Sequence, residues 1–166
     1  VHMDMKGQTG GCMSMGYGVI HGRSSKQKLN TKSSTETEIV GMSEYVPYNI
    51  WLSMFLKEQG YNLMENIVFQ DNQSAIRMEI NGRNSCTGNS RNIHIRYFFV
   101  KDRIKKEMRV EYCPTEHMLA DYFTKPLQGS RYKDYRDYIM GYKPISELLR
   151  STFSSMKERV ENTNQM

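Results

Sequence analysis

The sequence contains few cysteines, and their arrangement does not suggest a cross-linked or zinc-bound framework. Cys12, Cys86 and Cys113 are odd in number, lie far apart and form no Cys-x-x-Cys pair. Disulfide-rich domains need paired cysteines, and structural zinc sites need closely spaced ligands. We therefore expect three free thiols.

Long apolar runs are also absent. No stretch approaches the eighteen or more consecutive apolar residues of a membrane-spanning helix, and no basic segment leads into an apolar run at the N-terminus. These absences argue against a membrane span and a signal peptide. With 166 residues, the chain has the size of one domain, and we expect it to be intracellular.

The charge of the chain is biased toward the positive sign. Lysine and arginine total 23 against 18 aspartate and glutamate residues, which gives a formal net charge of +5. Such an excess favours a polyanionic partner over an acidic protein surface or a membrane.

The first sixty residues predict short strands followed by one long helix. Glycines and short apolar alternations between Gly7 and Lys28 are typical of strands joined by tight turns. Apolar residues then recur every three or four positions up to Gly60, where a helix would end. Thr35 and Glu38 have the spacing of a helix-capping box, and Pro47 is expected to kink or split the helix.

The remainder predicts further strands alternating with helices. This order favours an α/β fold with a mixed sheet flanked by helices. We assign residues 1–143 to one domain and 144–166 to a polar, partly helical tail. The predicted elements are a strand at Ile67–Gln70, a helix at Ser74–Ile80, a basic helix at Ile93–Lys106, a strand at Arg109–Cys113, a helix at Glu116–Leu127 and a further segment through Tyr138.

Three carboxylates occupy suggestive places. Glu38 lies one turn into the long helix, Asp71 follows a strand, and Asp121 lies in a core helix. A pair of divalent cations that binds a phosphate requires several clustered carboxylates, because Mg²⁺ prefers oxygen ligands. Each acid alone is more simply explained as a solvated surface charge. The case for a site therefore depends on the set.

Several motifs occur in an order that is specific to one family. They are Lys26–Glu38 (KQKLNTKSSTETE), Asp71–Ile76 (DNQSAI), Arg91–Phe99 (RNIHIRYFF), Tyr112–Glu116 (YCPTE) and Ala120–Leu127 (ADYFTKPL). Together they resemble the ribonuclease H domain of Ty1/copia-type retrotransposon Pol polyproteins, which follows the reverse transcriptase domain. The resemblance spans roughly residues 4 to 142.

This resemblance implies a ribonuclease H-like fold that hydrolyses the RNA strand of RNA–DNA hybrids with Mg²⁺, or Mn²⁺, during reverse transcription. Glu38, Asp71 and Asp121 would be both the catalytic residues and the metal ligands, with Glu36 as the second choice for the glutamate. The implied partners are the hybrid and the reverse transcriptase domain of the same polyprotein. The implied location is a cytoplasmic virus-like particle or the nucleus.

One departure from the family concerns its first catalytic aspartate. By the resemblance, that residue would precede Val1, and Asp4 aligns with the loop after the first strand, so it does not replace the missing ligand. We expect an incomplete first strand and weak or no activity of this chain alone. The alternative is a noncatalytic or domesticated nucleic-acid-binding remnant of such a domain.

Several polar and basic residues are candidates for nucleic-acid contact. Phosphate contacts by a basic helix give affinity for a hybrid, whereas the simpler interpretation is a solvated helical face. His94 stands two positions after the family's histidine, and we do not expect it to act. We expect Trp51 and methionines such as Met54 to lie in the core. The candidate contacts are Asn72, Gln73, Arg91, Arg96, Lys101 and Lys105.

Overall fold

The computed structural model describes residues 6–63, 65–81, 96, 99–104 and 106–150. Residues 99–103 and 145–150 are helical in addition to the named elements. Strands and helices alternate, which confirms the predicted α/β class. In chain order the elements are β1 (Gln8–Met13), β2 (His21–Lys26), α1 (Ser34–Glu58), β3 (Ile67–Gln70), α2 (Gln73–Asn81), β4 (Arg109–Tyr112), two 3₁₀ helices (Thr115–His117 and Leu119–Phe123) and α3 (Gly129–Ile139).

The strands form two pairs rather than one mixed sheet. β1 and β2 are antiparallel, with Gln8 opposite Lys26, and β3 and β4 are parallel, with Ile67 opposite Arg109. Within the described part of the chain, these pairs are separate two-stranded sheets. The first strand that we expect before β1 lies outside the described residues.

Two consecutive glycines allow the β1–β2 hairpin to be covered closely on both faces. A Cβ atom on Gly11 would lie 2.6 Å from the ring of Tyr45 in α1, and one on Gly10 would clash with the Thr124 side chain. Because successive strand residues point to opposite faces, α1 packs on one side and the second 3₁₀ helix on the other. This packing holds the Glu38 helix and the Asp121 helix against one hairpin.

The N-cap of helix α1 lies two residues before the predicted cap. The Ser33 side chain accepts a hydrogen bond from the backbone N–H of Glu36 at 3.2 Å. The Glu36 carboxylate in turn accepts from the backbone N–H of Lys32 at 2.7 Å. The predicted pairing of Thr35 with Glu38 was therefore wrong, and the cap leaves the Glu38 side chain available for contacts inside the fold.

The rest of α1 ends where the sequence predicts, and the helix is not split at Pro47. The helix runs continuously through Pro47, and Gly60 has the positive φ of +85° that a helix terminus favours. Trp51 and Met54 were wrongly assigned to the core, since they are 64% and 62% exposed. The neighbouring Ile50 packs inward, so only one side of this half of the helix is covered.

The main core lies between α1, the helical residues 99–103 and the β3–β4 pair. Its buried members are Met42, Val46, Val100 and Met108. A second small cluster joins α1 to α2 through Ile39, Ala75 and Met78. The start of α1 is therefore fixed against the helix that follows Asp71.

Candidate active site

Glu38 lies in the second turn of α1, half-buried, and its environment disfavours the charged form. Burial, followed by the negative charges of Asp71 and Asp121, raises the pKa of Glu38 to about 7, from an ordinary value of 4.5. The structure thus brings together the three acids named from the sequence, which come from three separate elements. Glu36 is instead engaged in the helix cap.

Gln70 connects two of these acids. It is buried at the end of β3, and its side-chain oxygen accepts hydrogen bonds from the backbone N–H groups of Asp71 at 2.9 Å and Asn72 at 3.3 Å. A hydrogen bond from the Gln70 side chain also lowers the pKa of Glu38, against the larger raising effects. Sequence reasoning missed this residue, although a polar side chain closing the apolar run 67–69 was a usable signal.

Asp71 follows β3 directly and is half-buried. The Thr115 hydroxyl donates a hydrogen bond to its carboxylate at 3.2 Å. Thr115 begins the first 3₁₀ helix, immediately after the buried residues Cys113 and Pro114. The residues after β4 therefore place Thr115 beside Asp71, because β4 is parallel to β3 and the two strands end at the same level.

Asp121 is 5% exposed and is neutralised by two cations. Its Oδ2 atom lies 2.9 Å from Lys125 Nζ and 3.3 Å from an Arg131 guanidinium nitrogen. Arg131 also donates to the backbone oxygen of Thr115. The sequence predicted a helical segment over residues 116–127, and the structure has two short 3₁₀ helices between Pro114 and Pro126, the second of which carries Asp121.

A fourth acid, Glu79 in α2, was not singled out from the sequence. Its residue surface is 0% exposed, and neither carboxylate oxygen has a hydrogen-bond partner among the residues described. Burial and the charge of Glu38 raise the pKa of Glu79 to about 8. A single glutamate within the apolar-polar pattern of a short helix gives no sequence signal of burial.

The donor chemistry of this acidic centre fits a hard divalent cation. All four groups are carboxylates, the class of ligand that Mg²⁺ and Mn²⁺ accept, and their charges repel one another in the absence of a cation. In the part of the chain that the structure describes, no three His, Cys, Asp or Glu residues lie close enough to share one metal ion as placed. Binding would therefore require side-chain adjustments, and Asp121 would have to exchange an ion pair for the cation.

The candidate nucleic-acid contacts are dispersed. Asn72 accepts a hydrogen bond from the backbone N–H of Ala75 at 3.0 Å and so caps α2, while the adjacent Gln73 is exposed. Both lie directly beyond Asp71, at the edge of the acidic centre. Arg91 and Lys105 lie outside the described residues, as does His94.

The two described residues of the basic segment that were candidate contacts have partners within the fold. Arg96 donates to the Ser43 hydroxyl at 2.8 Å and lies 3.8 Å from the Glu44 carboxylate. Lys101 is exposed, and its ammonium donates to the backbone oxygen of Asn81 at 3.1 Å. Arg96 thus faces α1, whereas Lys101 lies at the surface beside the end of α2.

A cleft at the start of α1 opens next to Glu38. Lys6 and Lys32 contribute positive charge to it, and Ser33 and Thr37 contribute hydroxyl groups. Sequence reasoning did not single out this cleft, because its lining comes from the entry to β1 and the loop before α1. A polyanion that enters here would reach Glu38.

Two remaining sequence predictions concern thiols and membrane spans. Cys12 and Cys113 are not part of a disulfide, as predicted, while Cys86 lies outside the described ranges. Among the helices that could be searched, none is long and apolar enough to cross a membrane.

The chain is a mixed α/β structure with an acidic centre, and its homologues are retrotransposon polyproteins of the Ty1/copia type. It is 30% identical over 129 residues to the retrovirus-related Pol polyprotein from transposon TNT 1-94 of Nicotiana tabacum. It is 31% identical over 134 residues to the Gag-Pol polyproteins of transposons Ty1-JR2 and Ty1-MR1 of Saccharomyces cerevisiae.

These similarities cover most of the chain but little of the relatives. The aligned part is 77% of this chain, 10% of the Nicotiana polyprotein and 7% of each Saccharomyces polyprotein. No model of a known protein family matches the chain, and no solved structure matches it. The chain thus spans only a small part of the length of these relatives.

Proposed function

We propose that the chain is a retrotransposon ribonuclease H domain that hydrolyses the RNA strand of RNA–DNA hybrids. The observation that carries this proposal is the convergence of Glu38, Asp71 and Asp121 in a segment homologous to retrotransposon polyproteins. A ribonuclease H-like fold is part of the same proposal, supported by the motif order and by the α/β element order.

Glu38, Asp71 and Asp121 would hold the divalent cations. Mg²⁺ or Mn²⁺ bound there would activate water and neutralise the scissile phosphate. The chain's own groups prepare this site: Gln70 orients Glu38 and fixes the backbone at Asp71, and Thr115 holds the Asp71 carboxylate.

Lys125 and Arg131 would have a role before cation binding. Both contact Asp121 Oδ2, so they stabilise a buried carboxylate that would otherwise be uncompensated. The Lys125 side chain is about half-exposed, and its ammonium group lies at the end of a long, flexible side chain. The ammonium group could therefore move away when a cation binds. Arg131 would remain, held by Thr115 and Tyr135.

The substrate path would run along the cleft beside α1. Lys6 and Lys32 would contact phosphates of the hybrid on one side of Glu38. Asn72 and Gln73 would contact it on the side of Asp71, with Lys101 farther along the surface. Arg96 is already occupied by Ser43 and Glu44, so its contact with substrate would require these bonds to change.

The proposed setting is the one that the motif resemblance implies. The partner in the polyprotein would be its reverse transcriptase domain, and the activity would take place in a cytoplasmic virus-like particle or in the nucleus. A basic net charge of +5 suits a nucleic-acid substrate.

A second candidate function is a noncatalytic nucleic-acid-binding remnant. The ion pairs of Asp121 with Lys125 and Arg131 favour this candidate, because they already compensate the negative charge of one of the three proposed ligands.

Cleavage of a labelled RNA–DNA hybrid in Mg²⁺ separates the two candidates. The proteins are this chain, a form extended upstream through the reading frame to include the expected aspartate, and the extended form with Asp71→Asn. Asp134→Asn, at an exposed carboxylate on α3, is the matched control. We expect cleavage by the extended form and by its control, and none after Asp71→Asn. Hybrid binding without cleavage by any form would refute the nuclease and support the remnant.

A further inference from the structure

Glu79 is an acid to which the described residues supply no counter-charge. It lies in α2, one turn after Ala75, on the side of that helix that packs against Ile39 of α1. Its surface is 0% exposed, and within the described structure both of its carboxylate oxygens lack a hydrogen-bond partner. A buried polar group that is left unsatisfied in this way costs free energy unless something binds it, and a cation is one such partner.

Glu79 faces the start of α1, because Ile39, the residue after Glu38, packs against Ala75, one turn before Glu79. The charge of Glu38 acts on Glu79, whereas Asp71 and Asp121 act on Glu38. Glu79 in α2 is therefore an acidic neighbour of Glu38 in addition to Asp71 and Asp121. Lys125, which offsets part of the repulsion around Glu38, is not among the groups that act on Glu79.

The described neighbours of Glu79 do little to compensate for its burial. The small apolar cluster beside it consists of Ile39, Ala75 and Met78, whose side chains have no group that donates a hydrogen bond. Lys101, a cation near the end of α2, donates to the backbone of Asn81 rather than to Glu79. An apolar residue would fill the same place at lower cost, so a functional role of the carboxylate accounts best for its presence.

We propose that Glu79 is a further carboxylate ligand of a divalent cation bound beside Glu38, on the side of that residue that faces α2. This inference rests on the proposed function, since it adds a ligand to the same acidic centre. Oxygen donors from α1 and α2 would then share one cation, and the site would extend beyond the three acids named by the motifs.

The test measures cation binding directly, with Mn²⁺ as the probe and the electron paramagnetic resonance signal of free Mn²⁺ as the readout. It compares the unaltered chain with Glu79→Gln, which keeps the side-chain shape, and Glu79→Asp, which keeps the charge. Glu58→Gln, at an exposed position at the end of α1, is the matched control. Far-UV circular dichroism verifies that each variant is folded.

We expect Glu79→Gln to weaken Mn²⁺ binding by about tenfold or more, in the range seen when a supporting group of a metal site is removed. Glu79→Asp should recover part of that loss, and Glu58→Gln should change nothing. Proton release on Mn²⁺ addition, followed in weakly buffered solution, should also fall in Glu79→Gln, because the cation displaces a proton from this carboxyl group.

The outcomes distinguish this inference from the proposed function. Equal Mn²⁺ affinity and equal proton release in the unaltered chain and Glu79→Gln would overturn the role of Glu79, even if the extended form cleaves the hybrid. Mn²⁺ binding that depends on Glu79 without any hybrid cleavage would support the cation site and refute the nuclease. Absence of Mn²⁺ binding by the unaltered chain would overturn the inference as well.

Discussion

Replacement of Glu79 by glutamine should make the chain more stable, and the gain should grow with pH. The pKa of this carboxyl group rises from 4.5 to about 8 on folding, because burial and the charge of Glu38 disfavour its ionised form. The folded state therefore holds a proton that the unfolded state has already lost at neutral pH. Stability is lost as the pH rises from about 4.5 to about 8, since the unfolded state binds fewer protons over that range.

The size of the effect follows from the same two values. Each pKa unit corresponds to about 1.4 kcal/mol, so the buried carboxyl group lowers the free energy of unfolding by on the order of 5 kcal/mol above the higher pKa. Near neutral pH, about 3 kcal/mol of this stability has already been lost. Glutamine does not titrate, although its amide still lacks partners, so the observed gain in the free energy of unfolding should be smaller. Near pH 4.5 the gain should be small.

Urea unfolding followed by circular dichroism at several pH values between about 4.5 and 9 measures this gain. The comparison is between the unaltered chain, Glu79→Gln and the exposed control Glu58→Gln, all without divalent cations. The free energy of unfolding should fall more steeply with pH in the unaltered chain and in the control than in Glu79→Gln. Parallel pH curves for all three proteins would refute the argument that Glu79 is buried without a counter-charge.

Three further predictions concern the acidic centre and its support. Glu38→Gln should abolish hybrid cleavage by the extended form, and it should raise the free energy of unfolding in urea above pH 7 by about 1–3 kcal/mol, because the pKa of Glu38 lies near 7. Lys125→Met should lower stability by about 1 kcal/mol without Mg²⁺, because Asp121 loses a contact at 2.9 Å, and the deficit should shrink in excess Mg²⁺; an unchanged melting temperature would contradict this. Gly11→Ala should destabilise the chain by about 1–3 kcal/mol in urea, since its Cβ would meet the Tyr45 ring, and a neutral effect would contradict the close packing of α1 on β1.

The secondary structure was predictable where local patterns decide it. The apolar run 67–69 gave β3, the three-to-four-residue periodicity gave α1, and Gly60 marked its end. The helix cap was not predictable in the same way, because Ser33, Ser34 and Thr35 are all suitable capping residues and tertiary packing selects among them.

The three acids were predicted from motifs, whereas the groups around them were not. Gln70 and Lys125 act through geometry that depends on how β3 and the second 3₁₀ helix are placed, and no local pattern encodes this placement. Glu79 was missed for a related reason. A glutamate in a short helix is usually exposed, and only the packing of α2 on α1 buries it.

The raised pKa values of Glu38 and Glu79 indicate how the fold accommodates its acids when no cation is bound. Near neutral pH, Glu79 keeps its proton and Glu38 is partly protonated, so protons neutralise the side of the centre that Lys125 and Arg131 do not reach. A divalent cation bound here would have to displace these protons, and its apparent affinity should therefore increase as the pH rises through about 7 to 8. Cations would compete with protons at Glu38 in α1 and at Glu79 in α2, and a cation would replace Lys125 beside Asp121. Cation binding would therefore be the step that completes the acidic centre.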